Sequence, residues 1–338
     1  MNLPLKALLA IAFGVILPAV AGAQTPVKLV LDWAFEGPQS MWTAAAESGC
    51  FTDKGIKLGI DRGMGSGDAI SKVASGAYNI GVADFGSVVA YNAAHPGQKL
   101  TIVFIVSDAS PLAVVATKKS GVAKPKDLEG KRLAGPQGES ARVMFPAFAK
   151  INGVDAAKVE WVTVTPDLRQ ATVAQGKADG AAGHLNTILK GLRALKVSRD
   201  ELVVLDYASH GVKVPGNTVI VKEEWARANK KAVQDFLSCT VKGIKMTIDD
   251  PKAAIATLKK YNSMVDSTIE LDNLDFATNM IVVTPNVKQH GFSFVDATRY
   301  EAALSMVAES LSVAKPAVAD IWSGDYLPPK SELAFESR

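Results

Sequence analysis

Residues 73–89, VASGAYNIGVADFGSVV, decide how the chain is read. They give a helix end, a turn at Gly76, a short apolar strand at 80–82, and Asp84-Phe85-Gly86-Ser87 opening a new helix. One hundred positions on, residues 173–189 read VAQGKADGAAGHLNTIL. Val73, Ala74 and Gly76 recur as Val173, Ala174 and Gly176, and Ser87 is answered by Thr187. A strand that ends at a polar residue and feeds a helix N-terminus is where open α/β sheets hold ligands. Two such units predict two similar lobes with a ligand between them.

Outward from this pair, strands and helices alternate, which predicts parallel sheets joined by crossover helices. Strands are expected at 27–32, 56–60, 100–106, 112–117, 159–164, 202–205 and 217–221, the last as a return crossing. Helices are expected at 41–48, 68–75, 87–94, 141–152 and 168–175, the last capped by Asp167. Beyond residue 223 the pattern turns helical, at 224–248, 251–260, 267–280 and 296–311, and 327–330 reads as an exposed tail. The second lobe, residues 114–215, is inserted in the first, residues 24–113 and 216–338.

Composition sets the class. Of 338 residues 48% are hydrophobic and 21% charged, enough apolar material for two packed lobes. The formal charge of +3 comes without long like-sign blocks, which argues against a nucleic-acid groove. Lys6, the apolar run 7–20 and Ala21-Gly22-Ala23 form a secretory signal peptide over residues 1–23. No other stretch is apolar enough to span a bilayer, so the mature chain is not expected in the membrane. Cys50 and Cys239 either pair in an oxidising compartment or stay as two buried thiols. Two cysteines cannot build a Cys-rich metal site.

Several phrases together carry a family resemblance: VKLVLDW (27–33), GCFTDKGIKLGI (49–60), the run 63–89 beginning GMGSGDAISK, and KPKDLEGKRLAGPQGES (124–140). The chain resembles the solute-binding proteins of ABC importers in the nitrate/sulfonate/taurine group. Its LDW start is similar to the branch that binds thiamine-pyrimidine precursors. The resemblance implies a type II periplasmic binding fold of two α/β lobes, each a mainly parallel sheet flanked by helices, with a hinge of two crossing strands. It further implies a secreted periplasmic monomer that hands one small molecule to an ABC permease with its ATPase, using no cofactor and doing no chemistry.

Ligand positions of the family lie at strand ends and in loops before helices. They fall here on Asp32, Trp33, Ser66, Asp84, Phe85, Asp108, Gln137, Glu139, Ser140, His184, Asn186 and Tyr207. Trp33 can stack on a planar ligand and Asp32 can accept its N–H groups. Asp84 either orients the ligand or caps the next helix, and Phe85 stacks only if it faces the cleft. Asp108 either meets the ligand or holds the hinge. Glu139 would repel a simple anion if turned inward, and as a first-turn acid it would instead favour the helix dipole. The wall is poor in Arg and Lys, which favours a neutral or weakly cationic nitrogen heterocycle. An aromatic carboxylate paired by Arg142 or Arg169 is the competitor. An enzyme resembling the yeast-type pyrimidine synthases would need an active-site lysine with pyridoxal phosphate and a Cys-rich iron motif. Two separated cysteines and a secretion signal argue against it. A sensor that docks on a receptor kinase is the third class.

Overall fold

The computed structural model describes residues 24–336, so the signal peptide expected at 1–23 lies outside the described residues. The chain forms two five-stranded sheets flanked by helices. In the first, β1 (Thr25–Val30), β2 (Ile56–Asp61), β3 (Ile80–Asp84), β4 (Leu100–Ile105) and β10 (Asn217–Lys222) lie in the order β2-β1-β3-β10-β4. In the second, β5 (Leu112–Thr117), β6 (Arg132–Gly135), β7 (Glu160–Thr163), β8 (Gly180–His184) and β9 (Leu202–Asp206) lie in the order β7-β6-β8-β5-β9. β1 runs parallel to β2 and β3, and β6 runs parallel to β7 and β8. Each sheet carries one opposed strand: β10 is antiparallel to β3 and β4, and β5 to β8 and β9.

The opposed strands are the means of exchange between lobes. β5 enters the second sheet as the chain leaves the first, and β10 enters the first as the chain returns. The two crossings bond to each other: Ser107 N–H donates to the Asn217 carbonyl at 3.0 Å, and Gly216 N–H to that of Ser107 at 2.9 Å. This pairing fixes the lobes to a common hinge.

The sequence repeat is a structural one. β3 runs into the helix Phe85–Ala94 and β8 into the helix Leu185–Ala194, each pair one hundred residues apart. Gly76 and Gly176 both have positive φ, 80° and 69°, at the turn before the strand, a conformation that costs glycine no Cβ clash. All five residues of β3 are buried, as expected for a central strand covered on both faces.

Three helical expectations change. The stretch 141–152 is two helices, Ser140–Val143 and Phe145–Ile151, because Pro146 falls in the first turn of the second and cannot donate to a helix running through it. The stretch 224–248 breaks at Asn229 into Glu223–Ala228 and Lys230–Asp249. Residues 278–282 leave the helix Ser267–Ala277 as a π turn. Asp167 makes no capping bond; it lies in a 3-10 turn, Pro166–Leu168, before the helix Arg169–Ala174. The end of the chain docks instead of trailing: Tyr326 and Leu333 are buried, and Phe292 N–H donates to the Leu333 carbonyl at 2.8 Å.

Cys50 and Cys239 form a disulfide, with Cα atoms 5.7 Å apart. It ties the helix Cys50–Asp53 to the 20-residue helix Lys230–Asp249. Among the described residues no helix is long and apolar enough to cross a membrane.

Candidate functional site

The site is assembled where the strand ends of the two sheets face each other. β1 stops at Val30 and delivers Asp32 and Trp33 to the cleft, both buried. The glycine loop follows: Gly65 N–H donates to the Asp32 carbonyl at 2.8 Å, so the loop is folded back onto the strand end. Ser66 then opens the helix Ser66–Ala74 and its Oγ accepts from the Asp84 N–H at 2.9 Å. From the other lobe, the turn before the helix Ser140–Val143 supplies Glu139 and Ser140, the end of β8 supplies His184, and the next helix supplies Asn186.

These residues enclose a cavity of about 40 Å³ together with Gln39, Ser107, Arg169, Thr187 and Asn217, on an apolar floor that includes Ile281 and Val282. That is room for only a few water molecules, so the lobes are closed. Closure has identifiable contacts. Gly67 N–H donates to the Gly138 carbonyl across the cleft at 3.0 Å. On the other side of the mouth, Lys190 Nζ sits 2.9 Å from Glu36 and 2.8 Å from Glu270. Asn186 Nδ2 donates to Asn273 Oδ1 at 2.7 Å, and Arg62 pairs with Asp167 at 3.3 Å.

Charge inside the cleft is concentrated. Arg169 Nη1 lies 3.0 Å from Glu139 Oε2, with both side chains almost wholly buried. The guanidinium carbon sits 4.6 Å from the Trp33 ring centre, a cation–π contact made across the lobes. Burial pushes the Glu139 carboxyl up and Arg169 pulls it back. Burial lifts Asp32 to about 6 against the pull of Asn217, whose Nδ2 donates to Oδ2 at 2.8 Å. Burial, then the Arg169 charge, holds His184 down to about 4, so its imidazole is neutral at pH 7 with one donor and one acceptor nitrogen. Asp32 Oδ1, Asn217 Oδ1 and Arg169 Nε and Nη2 are buried without a partner among the described residues. Orphaned buried polar atoms of this kind mark a place where something else bonds.

Of the residues expected from sequence, the cavity brings together Asp32, Trp33, Ser66, Glu139, Ser140, His184 and Asn186. Five lie elsewhere. Phe85 is core, edge-on to Tyr300 with ring centres 5.5 Å apart. Asp84 caps the following helix, its Oδ1 accepting from Gly86 N–H at 3.0 Å, and burial lifts it to about 7. Tyr207 is fully buried, stacked on Phe148 and donating to the Ala141 carbonyl at 2.9 Å. Asp108 is held by Thr284, Asn286 and Arg299 beside the hinge. Gln137 is exposed. Glu139 faces inward rather than serving a helix from solvent, because Arg169 neutralises it there. Arg142 is outside the cleft, over the Trp161 ring.

Sequence reasoning missed Gln39 and Asn217, while Arg169, one of the two arginines offered as a partner for a carboxylate, does line the cavity. Arg169 had a further legible signal: its counterpart in the repeat is the apolar Ala69. Asn217 had none, since it reaches Asp32 from a strand that returns 185 residues later. Among the described residues no group of three or more His, Cys, Asp or Glu could hold a metal ion.

The family profile described as NMT1/THI5 like matches residues 40–254. A protein of Legionella pneumophila named 4-amino-5-hydroxymethyl-2-methylpyrimidine phosphate synthase is 24% identical over 240 residues, 71% of this chain and 75% of that one. Among solved structures, the alkanesulfonate-binding protein of Xanthomonas axonopodis pv. citri superposes with a TM-score of 0.66 at 16% identity, covering 89% of this chain and 99% of that one. The periplasmic nitrate-binding protein of Synechocystis PCC 6803 gives 0.65 at 10% identity, covering 90% and 87%. These likenesses establish a two-lobe periplasmic-binding-protein fold.

Proposed function

The chain belongs to the NMT1/THI5-like family, and from that premise we propose that it is the solute-binding component of an ABC importer for a small planar nitrogen heterocycle of the thiamine-pyrimidine kind. The observation that carries the ligand class is Asp32: a desolvated carboxylate with one oxygen unpartnered, beside the Trp33 ring, over one face of which the Arg169 guanidinium lies. A carboxylate so placed accepts from an N–H edge, and the aromatic wall accepts a planar ring. Residues 24–113 with 216–338 form one lobe and 114–215 the other, closing about the paired crossings. The signal-peptide pattern and the disulfide support a periplasmic site of action. The partners are the ligand and a permease with its ATPase, and the chain acts as a monomer.

A second reading follows from the Legionella relative's name, which is that of a synthase. Against it, no lysine lines the cavity among the described residues, and both cysteines are consumed in the disulfide. Pyridoxal absorbance in the purified protein would revive it.

The test is a thermal-shift comparison of pyrimidines, aromatic acids, alkanesulfonates and nitrate on residues 24–338, because a true ligand raises stability by mass action. Pyrimidines are expected to give the largest shift. Trp33→Ala is expected to weaken the best of them roughly ten- to a hundredfold by calorimetry with the fold kept. Unchanged affinity removes Trp33 from the site, and a larger shift with nitrate or a sulfonate overturns the ligand class.

A further inference from the structure

Arg169 is built in on every side but one. Nη1 donates to Glu139 at 3.0 Å and to the Ala182 carbonyl at 3.3 Å. The plane of the group rests on Trp33. Gly183 makes the space for it, since a Cβ there would collide with Nη1. The side chain is 1% exposed, and Nε and Nη2 have no partner among the described residues. Those two atoms share one edge of a guanidinium, the edge with which arginine holds both oxygens of an acid group.

The internal repeat supplies a comparison. One hundred residues earlier the positions of Arg169 and Gly183 are Ala69 and Ala83, both fully buried. The lobe architecture therefore does not need an arginine here for packing. Burying two donors of a cation unmet is costly, and the cost is offset when a ligand meets them.

We propose that Arg169 determines specificity by taking a carboxylate on its Nε/Nη2 edge, so that the ligand is a heterocyclic acid with its N–H edge at Asp32 and its acid group at Arg169. This rests on the heterocycle reading above. Glu139 does not oppose it, because Glu139 is already paired to Nη1 and receives the Ser140 hydroxyl at 3.2 Å. A ring protonated at nitrogen and carrying a carboxylate enters without net charge and matches Asp32 and Arg169 at once. A tetrahedral anion alone would leave Asp32 unmatched.

The experiment is calorimetry on residues 24–338 with four probes: 4-amino-2-methylpyrimidine-5-carboxylate, 4-amino-5-hydroxymethyl-2-methylpyrimidine, 3-methylbenzoate and 3-methylbenzyl alcohol. Each acid is expected to bind about tenfold or more tightly than its alcohol. In Arg169→Lys, which keeps the charge against Glu139 and loses the fork, that ratio is expected to fall to roughly threefold or less. An acid-to-alcohol ratio near one in the unmodified protein, or one unchanged in Arg169→Lys, overturns the proposal. Benzene acids binding as well as pyrimidine acids would instead overturn the heterocycle and leave Arg169's role standing. No binding by any probe overturns both. Circular dichroism checks the fold of the variant. Should Arg169→Lys not fold, the double variant Arg169→Met, Glu139→Leu removes both charges together and takes its place in the same comparison.

Discussion

At Asp32, burial works against ionisation. Its folded-state value of about 6 stands above the ordinary 3.8, so between those values the native state binds more protons than the unfolded chain. Stability from this group therefore falls as pH rises from 4 to 6, and the full penalty, roughly 3 kcal/mol, is present above that window. Asp32→Asn keeps an acceptor for Asn217 and cannot ionise. It is expected to stabilise the ligand-free protein at pH 7.5, and the gain is expected to vanish by pH 4. Urea denaturation at the two pH values checks this, and an equal gain at both would refute the assignment. Residue by residue, the sequence marks strand ends well and side-chain direction poorly. Phe85 and Tyr207 sit at such ends yet turn into the core, because each finds an aromatic partner there, Tyr300 and Phe148. Asp108 is drawn off by Arg299, which lies 191 residues away. None of these partners is local, so no local pattern announces them.

Among the elements, the two glycine loops meet when the lobes close. A Cβ on Gly67 would lie 3.0 Å from the Gly138 Cα, backbone against backbone, closer than such atoms normally approach and with no flexible side chain to yield. Gly67→Ala is expected to weaken ligand binding several-fold with the two lobes still folded, since closure contributes the second half of the site. Small-angle scattering checks it: the ligand-induced fall in radius of gyration should shrink or disappear, whereas a full-sized fall would show that these loops do not limit closure. The strand-to-helix repeat was legible because its spacing and glycines are local features. The breaks at Met144 and Asn229 were less so. The first has a local cause in Pro146.

For the molecule as a whole, the disulfide closes a span of 189 residues that contains the entire second sheet. Loop-closure entropy alone assigns such a bridge about 5 kcal/mol, an upper figure for most real cases. Cys50→Ser with Cys239→Ser is expected to lower unfolding free energy by several kcal/mol while leaving ligand affinity within about twofold, because neither cysteine lines the cavity. Denaturant titration paired with calorimetry reads both, and a large affinity loss would mean the bridge also shapes the cleft. By itself the sequence determined the two-lobe plan, the alternation of strand and helix, and the loops that form the cleft. It could do so because period, turn chemistry and repeats act over a few residues. Tertiary structure alone decided that β5 and β10 run against their sheets, that the cysteines pair, and that Asn217 braces Asp32. It also decided that Arg169, rather than Phe85 or Tyr207, stands in the cleft. Those outcomes depend on contacts made after the lobes are packed and shut, where burial and charge pairing select among side chains that the local sequence leaves equivalent.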